Sequence, residues 1–339
     1  MKLAQIALLA GVSRTTASAV INGKAQQYRI SDKTVARVMA VVEQYKYQPN
    51  QSAAQLRSGS SRSLGCIVPD LENPSYAKLA KHLEQSARER GYQLIICCSD
   101  DLPEVEIHLV QSLVARGVDA LLVASSLPPD NDFYPKLLNS GKPIVALDRW
   151  LDPQLFANIT SENRKGAAAL MQSSLNESMH RVAIIGALPQ LQVSSEREAG
   201  ACQALKENLP HADYEFFYGH HFSQEQGAVM MNRALEFKPD LILTTAYVLL
   251  DGGLSQLVQR PEWLNKLTLA TFGNNRLLDL LTHPVNSLTQ QMPIIAEKAI
   301  NIVLKALDGD YQSGLEVVPR RLIIRNKHNK SILMNEYHA

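Results

Sequence analysis

The chain has 339 residues, 45% of them apolar and 20% charged, a balance that excludes a disordered chain and indicates a globular protein of two or three domains. No stretch approaches the roughly 18 uncharged apolar residues of a membrane helix. The net charge of +1 is unevenly spread, because residues 1–62 hold nine basic and two acidic residues and so carry +7, which leaves −6 on the remainder. A basic segment ahead of a larger acidic one predicts that the first part alone binds a polyanion.

The basic segment predicts three helices. Apolar residues at helical spacing favour a helix over residues 3–10, after which Gly11 supplies a turn and Ser13 the N-cap of a second helix over residues 14–21. A third helix follows Ser31 and turns its valines inward. The positions that face outward on the second helix are Arg14, Thr15, Ser18 and Ala19. Two short helices around a glycine-containing turn are typical of a helix-turn-helix domain, which places its second helix in the major groove of DNA.

From residue 63 onward, buried-strand patterns alternate with amphipathic helices such as the one predicted over residues 76–90. We assign strands to residues 64–68, 92–97, 118–123 and 143–147 in a first series, and to 181–186, 215–218, 239–243 and 267–272 in a second. Two such series predict two doubly wound α/β lobes, with a ligand at the carboxyl ends of the parallel strands and in the cleft between the lobes.

The first sixty residues resemble the LacI/GalR repressor family. The motif residues are Leu3-Ala4-Gln5-Ile6-Ala7, Ala10-Gly11-Val12-Ser13, Thr16-Ala17-Ser18, Ile21-Asn22-Gly23, Ser31, Thr34 and Val38. The segments Tyr47-Gln48-Pro49-Asn50 and Ala53-Ala54-Gln55-Leu56 then resemble the hinge helix of that family. The resemblance implies a repressor that binds a near-palindromic operator as a homodimer, with a homotetramer through another surface left open.

The resemblance also implies roles in DNA binding for individual residues. Arg14 and Thr15 would read base edges, since arginine pairs best with guanine. The phosphate backbone would be contacted at the positions Ser13, Thr16, Asn22, Ser31 and Asn50. Ser18, Ala19 and Ala53 complete the implied set, although the family often carries a larger residue at the position of Ala19. Leu56 would wedge between base steps in the minor groove, and the alternative is a packing contact between domains.

The resemblance extends over the entire chain and implies its division. A helix-turn-helix domain would span residues 1–48 and a hinge helix or linker residues 49–60. A periplasmic-binding-protein-like domain would span residues 61–339, with one lobe from about 61–160 and 289–318 and the other from about 161–288 and 319–339.

Within the family, the resemblance is stronger to the branch of the fructose repressors. It rests on the segments Gln27-Tyr28-Arg29, Pro69-Asp70-Leu71-Glu72-Asn73, Ser126-Leu127-Pro128-Pro129, Ile144-Val145-Ala146-Leu147-Asp148-Arg149 and Ala270-Thr271-Phe272-Gly273. This implies a regulator of fructose and central carbon metabolism that is released from DNA by fructose 1-phosphate, or else by fructose 1,6-bisphosphate. A repressor responding to another sugar or sugar phosphate is the alternative.

The candidate effector residues suit such a ligand. Arg149 and Arg197 would approach from opposite lobes and bind a phosphate through paired hydrogen bonds. Hydroxyl, amide and carboxylate groups would bind the sugar hydroxyls, and Phe222 would stack against the ring; the remaining candidates are Asn73, Ser75, Tyr76, Asp148 and Asn274. The alternatives are a core role for Phe222, a surface ion pair for Arg149 and a purely structural loop role for Asn274.

Other classes of protein fit the sequence less well. It contains no phosphate-binding GxxxxGK[ST] loop, no GxGxxG after a strand, no GxSxG elbow and no HExxH zinc motif, so we expect no enzyme activity and no cofactor. A transport binding protein would need a signal peptide, and the basic segment occupies that place. The cysteines Cys66, Cys97, Cys98 and Cys202 lack metal-ligand spacing, so we expect buried, reduced thiols and no bound metal. We therefore expect a cytoplasmic protein with no membrane partner.

Overall fold

The structure, a computed structural model, describes residues 1–47, 59–264, 266–325 and 332–334. The chain divides into two compact units, Met1–Ser61 and Arg62–Ala339. The predicted hinge helix, with Asn50, Ala53 and Leu56, lies outside the described residues, apart from residues 59 and 60.

The first unit contains the three predicted helices, α1 (Leu3–Leu9), α2 (Arg14–Ile21) and α3 (Asp32–Gln44). They enclose a small core in which Ala17 and Val38 are fully buried. Ser13 caps α2 as predicted, because its hydroxyl accepts a hydrogen bond from the Thr16 amide at 3.0 Å. Gly11 between α1 and α2 has φ +60°, a conformation that favours glycine.

The second unit contains two sheets, which form its two lobes. In the first lobe, the described residues give six parallel strands in the order β11-β5-β4-β3-β1-β2. These strands are β1 (Ser63–Val68), β2 (Gln93–Cys98), β3 (Ala120–Val123), β4 (Ile144–Leu147), β5 (Ala157–Ser161) and β11 (Gly314–Val318). The helices of this lobe are α4 (Pro74–Glu89), α5 (Pro103–Ala115), α6 (Phe133–Asn139) and α12 (Met292–Leu307).

In the second lobe, the described residues give seven strands in the order β13-β12-β10-β9-β8-β6-β7, of which β12 and β13 are antiparallel to their neighbours. They are β6 (Arg181–Ala187), β7 (Asp213–Gly219), β8 (Leu241–Thr244), β9 (Thr268–Phe272), β10 (Val285–Thr289), β12 (Arg321–Ile324) and β13 (Ile332–Met334). The helices are α7 (Arg164–Gln172), α8 (Gln192–Asn208), α9 (Gln224–Glu236), α10 (Tyr247–Val258) and α11 (Pro261–Leu264), with a 3₁₀ turn at Arg276–Asp279. The predicted α/β fold of two doubly wound lobes is confirmed.

Both faces of each sheet are covered by apolar side chains, which explains why the central strands are buried throughout. Within the described residues, the chain passes between the lobes three times, and each passage takes two residues. We call residues 162–163, 290–291 and 319–320 the three crossings, because they join β5 to α7, β10 to α12 and β11 to β12. Residues at the crossings belong to neither sheet and lie where the lobes meet.

Within the described ranges, no one helix combines the length and apolarity of a membrane span. The helices α1 and α2 meet that requirement only when they are taken together, and they are bent by 103°. The four cysteines are free, but only Cys66 is fully buried, so the prediction of buried thiols is wrong for the other three. Burial raises the pKa of the Cys66 thiol to about 12, which keeps it protonated and unreactive.

Candidate functional site

The exposed end of α2 carries the residues predicted to contact DNA. Arg14 and Thr15 are the first two residues of the helix, and both are exposed. The hydroxyls of Ser13 and Thr16 lie 2.8 Å apart beside them. Asn22 closes the other end of the helix, donating to the Ser18 carbonyl oxygen at 2.7 Å. This surface offers an arginine, hydroxyls and the amino end of a helix, which suit base edges and phosphate oxygens.

Two further predicted DNA-binding residues have different surroundings. Ser31 precedes α3, is exposed, and its hydroxyl lies 3.0 Å from that of Thr34. Ala19 is only 6% exposed, so the prediction that it faces outward is wrong. The turn after α2 folds back over this position, where the Lys24 amide donates to the Ala19 carbonyl oxygen at 2.8 Å.

A cavity lies between the two lobes of the second unit. It is bounded by the carboxyl ends of strands from both sheets and by residues of the crossings. Seven of the eight predicted effector residues line it: Asn73, Ser75, Tyr76, Asp148, Arg149, Arg197 and Phe222. The sequence thus predicts residues that are far apart in the chain and that the fold brings together.

The wall from the first lobe is organised around Asp148, directly after β4. Its carboxylate accepts hydrogen bonds from the Tyr76 hydroxyl at 3.1 Å and from the Gln290 amide at 3.0 Å. Burial raises the pKa of Tyr76, so the phenol stays protonated and donates. On the same wall, Asn73 caps the start of α4, because its side-chain oxygen accepts a hydrogen bond from the Ser75 amide at 3.1 Å. Asp148 is therefore held in place as a fixed acceptor.

Arg149 follows Asp148 and lines the same cavity. It is 6% exposed and forms an ion pair with Asp101, which follows β2. Arg149 therefore does form an ion pair, but the alternative that placed this pair on the surface is wrong, because the pair is buried. Burial works to lower the pKa of Arg149, but the negative charge of Asp101 raises it, and the net direction is upward. The guanidinium is charged at neutral pH.

The second lobe contributes Arg197. Arg197 lies in the second turn of α8, which begins at Gln192, and its side chain lines the cavity. Its guanidinium donates to Asn163 Oδ1 and to the Thr245 carbonyl oxygen, both at 2.9 Å. Burial lowers the pKa of Arg197 from its usual value, but an arginine keeps its charge in proteins.

Sequence reasoning missed a third arginine. Arg320 lies in the last crossing, is 1% exposed and lines the cavity. It donates to Asn163 Oδ1 at 2.8 Å, so this one amide oxygen binds both Arg197 and Arg320. The two guanidinium carbons lie 5.0 and 5.1 Å from the centroid of the Phe272 ring, which supports both cations. Gln290 and Asn163 lie in the other two crossings. The predicted lobe boundaries near residues 160, 289 and 318 therefore could have pointed to Asn163, Gln290 and Arg320.

Phe222 combines the two roles that the sequence left open. Its side chain is partly buried against the apolar cluster of the second lobe, and it also lines the cavity. An aromatic ring in this position offers a flat apolar surface to a sugar ring.

Asn274 does not line the cavity, so its predicted role in binding an effector is not supported by the geometry. Its side-chain oxygen accepts from Arg325 at 2.8 Å and from the Ser287 hydroxyl at 3.2 Å. Arg325 is only 6% exposed and needs hydrogen-bond acceptors, which include Asn274 and the Asp279 carboxylate. The alternative of a structural loop role describes Asn274 better.

Among the described residues, three arginines and one aspartate are the charged residues that line the cavity, so this wall is positive. Buried arginines supply forked donors for phosphate oxygens, and the carboxylate, amide and hydroxyl groups around Asp148 supply partners for hydroxyl groups. The arrangement suits a small polyhydroxylated anion.

Comparisons with known proteins agree with this chemistry. The family profile "Bacterial regulatory proteins, lacI family" matches residues 2–50, and the profile "Periplasmic binding proteins and sugar binding domain of LacI family" matches residues 61–261. The chain is 50% identical to the fructose operon regulatory protein of Vibrio cholerae over 328 residues, 96% of this chain and 100% of that protein. It is 44% identical to the catabolite repressor/activator of Escherichia coli over 336 residues, 98% of this chain and 100% of that protein.

A solved structure gives a matching fold. It is that of the Cra transcriptional dual regulator of Pseudomonas putida in complex with fructose 1-phosphate, with a TM-score of 0.75 and 43% sequence identity. The match covers 78% of this chain and 99% of that structure.

Proposed function

Because this chain belongs to the lacI family of bacterial regulatory proteins, we propose that it is a sequence-specific regulator of transcription whose affinity for its operator is controlled by a phosphorylated fructose. The observation that carries the proposal is the convergence of Arg149, Arg197 and Arg320 on one cavity that also contains a fixed carboxylate. The relatives are a fructose operon regulatory protein and a catabolite repressor/activator, and a related transcriptional dual regulator was solved in complex with fructose 1-phosphate. Fructose 1-phosphate is therefore our first choice of effector, ahead of fructose 1,6-bisphosphate.

We propose nine contact residues for this effector. Seven are predicted residues that line the cavity, and Gln290 and Arg320 are added from the structure. The arginines would bind the phosphate, Asp148 and Gln290 the sugar hydroxyls, and Phe222 one face of the ring. Asn274 leaves the set.

The DNA-binding part of the proposal rests on the first unit. Arg14 and Thr15 would read base edges, and the neighbouring hydroxyls of Ser13 and Thr16 would bind phosphate oxygens. We keep residues 1–48 as the DNA-binding domain, 49–60 as a hinge helix that inserts Leu56 into the minor groove, and 61–339 as the effector-binding domain. A homodimer would match a near-palindromic operator, because one small helix-turn-helix covers a single half-site.

Coupling would run through the three crossings. Asn163, Gln290 and Arg320 each lie in one of them. Gln290 and Arg320 line the cavity, and Asn163 accepts hydrogen bonds from two of the lining arginines, Arg197 and Arg320. A ligand that binds these residues acts where the lobes are joined, so it favours one relative orientation of the lobes over another. A coupling free energy of about 1–3 kcal/mol would weaken operator binding roughly 5- to 150-fold. The function requires binding and release alone, and we propose that the protein acts in the cytoplasm without catalysis.

The proposal is tested by measuring binding to an operator fragment while fructose 1-phosphate, fructose 1,6-bisphosphate, fructose and ribose are each titrated. We expect fructose 1-phosphate to release the DNA by at least about fivefold. Free fructose should do little, because it would leave buried arginines without an anionic partner. Equal release by fructose and its phosphate would contradict the phosphosugar assignment, and so would release by ribose alone.

A second prediction concerns base readout by the second helix. We expect Arg14→Ala to weaken binding to the cognate operator by about 1–3 kcal/mol and to relax preference at one base pair. The measurement is binding to operators changed one base pair at a time. As a control, Lys33→Ala removes an exposed charge from α3 and should leave the base preferences unchanged. If Arg14→Ala weakened binding to all sequences equally, Arg14 would be a phosphate contact instead.

A further inference from the structure

Asp101, which forms an ion pair with Arg149, has no role in the effector contacts proposed above. Asp101 does not line the cavity, but its carboxylate accepts from Arg149 Nη1, and the side chains of the two residues are only 10% and 6% exposed. A buried pair of this kind lowers the positive charge that the cavity presents to a ligand, because the Asp101 carboxylate partly neutralises one of the three arginines.

The backbone holds Asp101 in this place without help from a ligand. Asp100 and Asp101 both adopt left-handed conformations, with φ of +53° and +58°, which non-glycine residues seldom take. The Asp100 amide donates to the Pro69 carbonyl oxygen at 2.8 Å, and the Leu102 amide donates to that of Ser99 at 2.9 Å. The Asp101 carboxylate is thus part of the preformed site.

Arg149 keeps donor capacity beyond this pair. Its Nε is buried and has no hydrogen-bond partner among the described residues. A buried guanidinium with an unsatisfied N–H lines the cavity and can donate to an anionic oxygen while Nη1 stays bound to Asp101. The ligand would therefore meet Arg149 with Asp101 still in place.

The charge balance then limits the ligand. The lining arginines and Asp148 give the wall a formal charge of +2, and Asp101 behind it reduces the total to +1. One phosphate group carries about −1.5 to −2 near neutral pH, so a monophosphate is enough to balance the site. A second phosphate would add a similar negative charge, which the negative charge of Asp101 would repel. Two unit charges about 10 Å apart, at an effective dielectric constant of about 20, alter a binding constant more than roughly tenfold.

We propose that Asp101 is a specificity-determining residue, which restricts the site to a sugar carrying one phosphate by holding a fixed negative charge against Arg149. The inference rests on the proposed function, since it concerns the choice between two fructose phosphates at that site. It assigns to Asp101 the discrimination that the arginines alone would not provide, because they attract every phosphate.

The test is calorimetric titration of the full-length protein with fructose 1-phosphate and fructose 1,6-bisphosphate. In Asp101→Asn, which keeps the shape and removes the charge, we expect the preference for the monophosphate to fall roughly tenfold, mainly through tighter binding of the bisphosphate. Asp101→Gly removes the same charge and is relaxed in a left-handed backbone, so it gives a second folded variant. The matched control is Asp100→Asn, an exposed neighbour with the same backbone conformation, which should leave the preference unchanged.

A preference within about twofold of the native value in both Asp101 variants would overturn the inference. An equal loss of both ligands would also overturn it, since Asp101 would then only position Arg149. If Asp100→Asn shifted the preference by the same amount, the effect would come from the overall charge of the region and not from Asp101, and the inference would also fail. If the native protein bound neither ligand, the proposed function itself would fail, and the inference with it; native binding of the monophosphate with an unmoved preference would refute the inference alone.

Discussion

A fragment that begins at Arg62 is expected to bind fructose 1-phosphate as tightly as the full chain and to show no specific binding to the operator. The second compact unit begins at this residue and contains the whole cavity between the lobes. The removed part holds most of the +7 charge of residues 1–62 and the exposed amino end of α2. Without it the loss of operator affinity should reach at least about 10³-fold, the usual gap between specific and non-specific binding.

Two measurements check this expectation on the same preparation. Calorimetry reports effector binding, and a mobility or anisotropy titration reports DNA binding, each compared with the full-length protein. Retained sequence-specific DNA binding by the fragment would contradict the assignment of DNA recognition to the first unit. Loss of effector binding would show that the cavity depends on the removed residues.

The elements that the sequence predicts well are those whose apolar pattern is local. Strands β1, β3 and β4 are continuous apolar runs, and in the structure each of them lies between two other strands of the first sheet. The unpredicted strands β5 and β10 carry polar residues, for example Asn158, which is 1% exposed. The Asn158 amide donates to the Phe156 and Gly314 carbonyl oxygens, and the second of these lies 156 residues away. A polar side chain that becomes buried through such distant partners leaves no local apolar signal.

The same distinction explains the candidate site. Residues directly after predicted strands, such as Asp148 and Arg149, could be placed at the cavity because the carboxyl ends of parallel strands share one edge of the sheet. Asp101 also follows a predicted strand, but an acidic residue in a loop has many uses, and only the structure shows that it binds Arg149. Asn274 was misplaced because its oxygen binds the buried Arg325, which directly follows β12, a strand that the sequence did not predict.

The burial of Arg320 is the feature of the site that the local sequence pattern predicts least. It belongs to the pair Arg320-Arg321, and nothing in the sequence tells which of the two is buried. In the structure Arg320 is 1% exposed beside Asn163 and Phe272, whereas Arg321 begins the strand β12 and is exposed. Neighbouring residues of an extended chain point to opposite sides, so the direction is set by where the crossing enters the second sheet.

This pair provides the last prediction. We expect Arg320→Met to weaken binding of fructose 1-phosphate by about 1.5–3 kcal/mol, because it removes a buried cationic donor and keeps a side chain of similar length against Phe272. Operator binding without effector should stay at the native level, so the variant becomes a repressor that the sugar phosphate no longer releases. Calorimetry and operator titration measure the two effects separately.

The matched control is Arg321→Met, which removes the same charge one residue away from an exposed position. It should bind both effector and operator within about twofold of the native protein. If both variants lost effector binding to the same extent, long-range charge would explain the result, and Arg320 would have no contact with the ligand. If Arg320→Met bound fructose 1-phosphate normally but released DNA less, Arg320 would act at the crossing, where it joins Asn163 to the second sheet, and not in binding the phosphate. Only selective loss of effector binding in Arg320→Met, with Arg321→Met unchanged, supports three arginines at the phosphate.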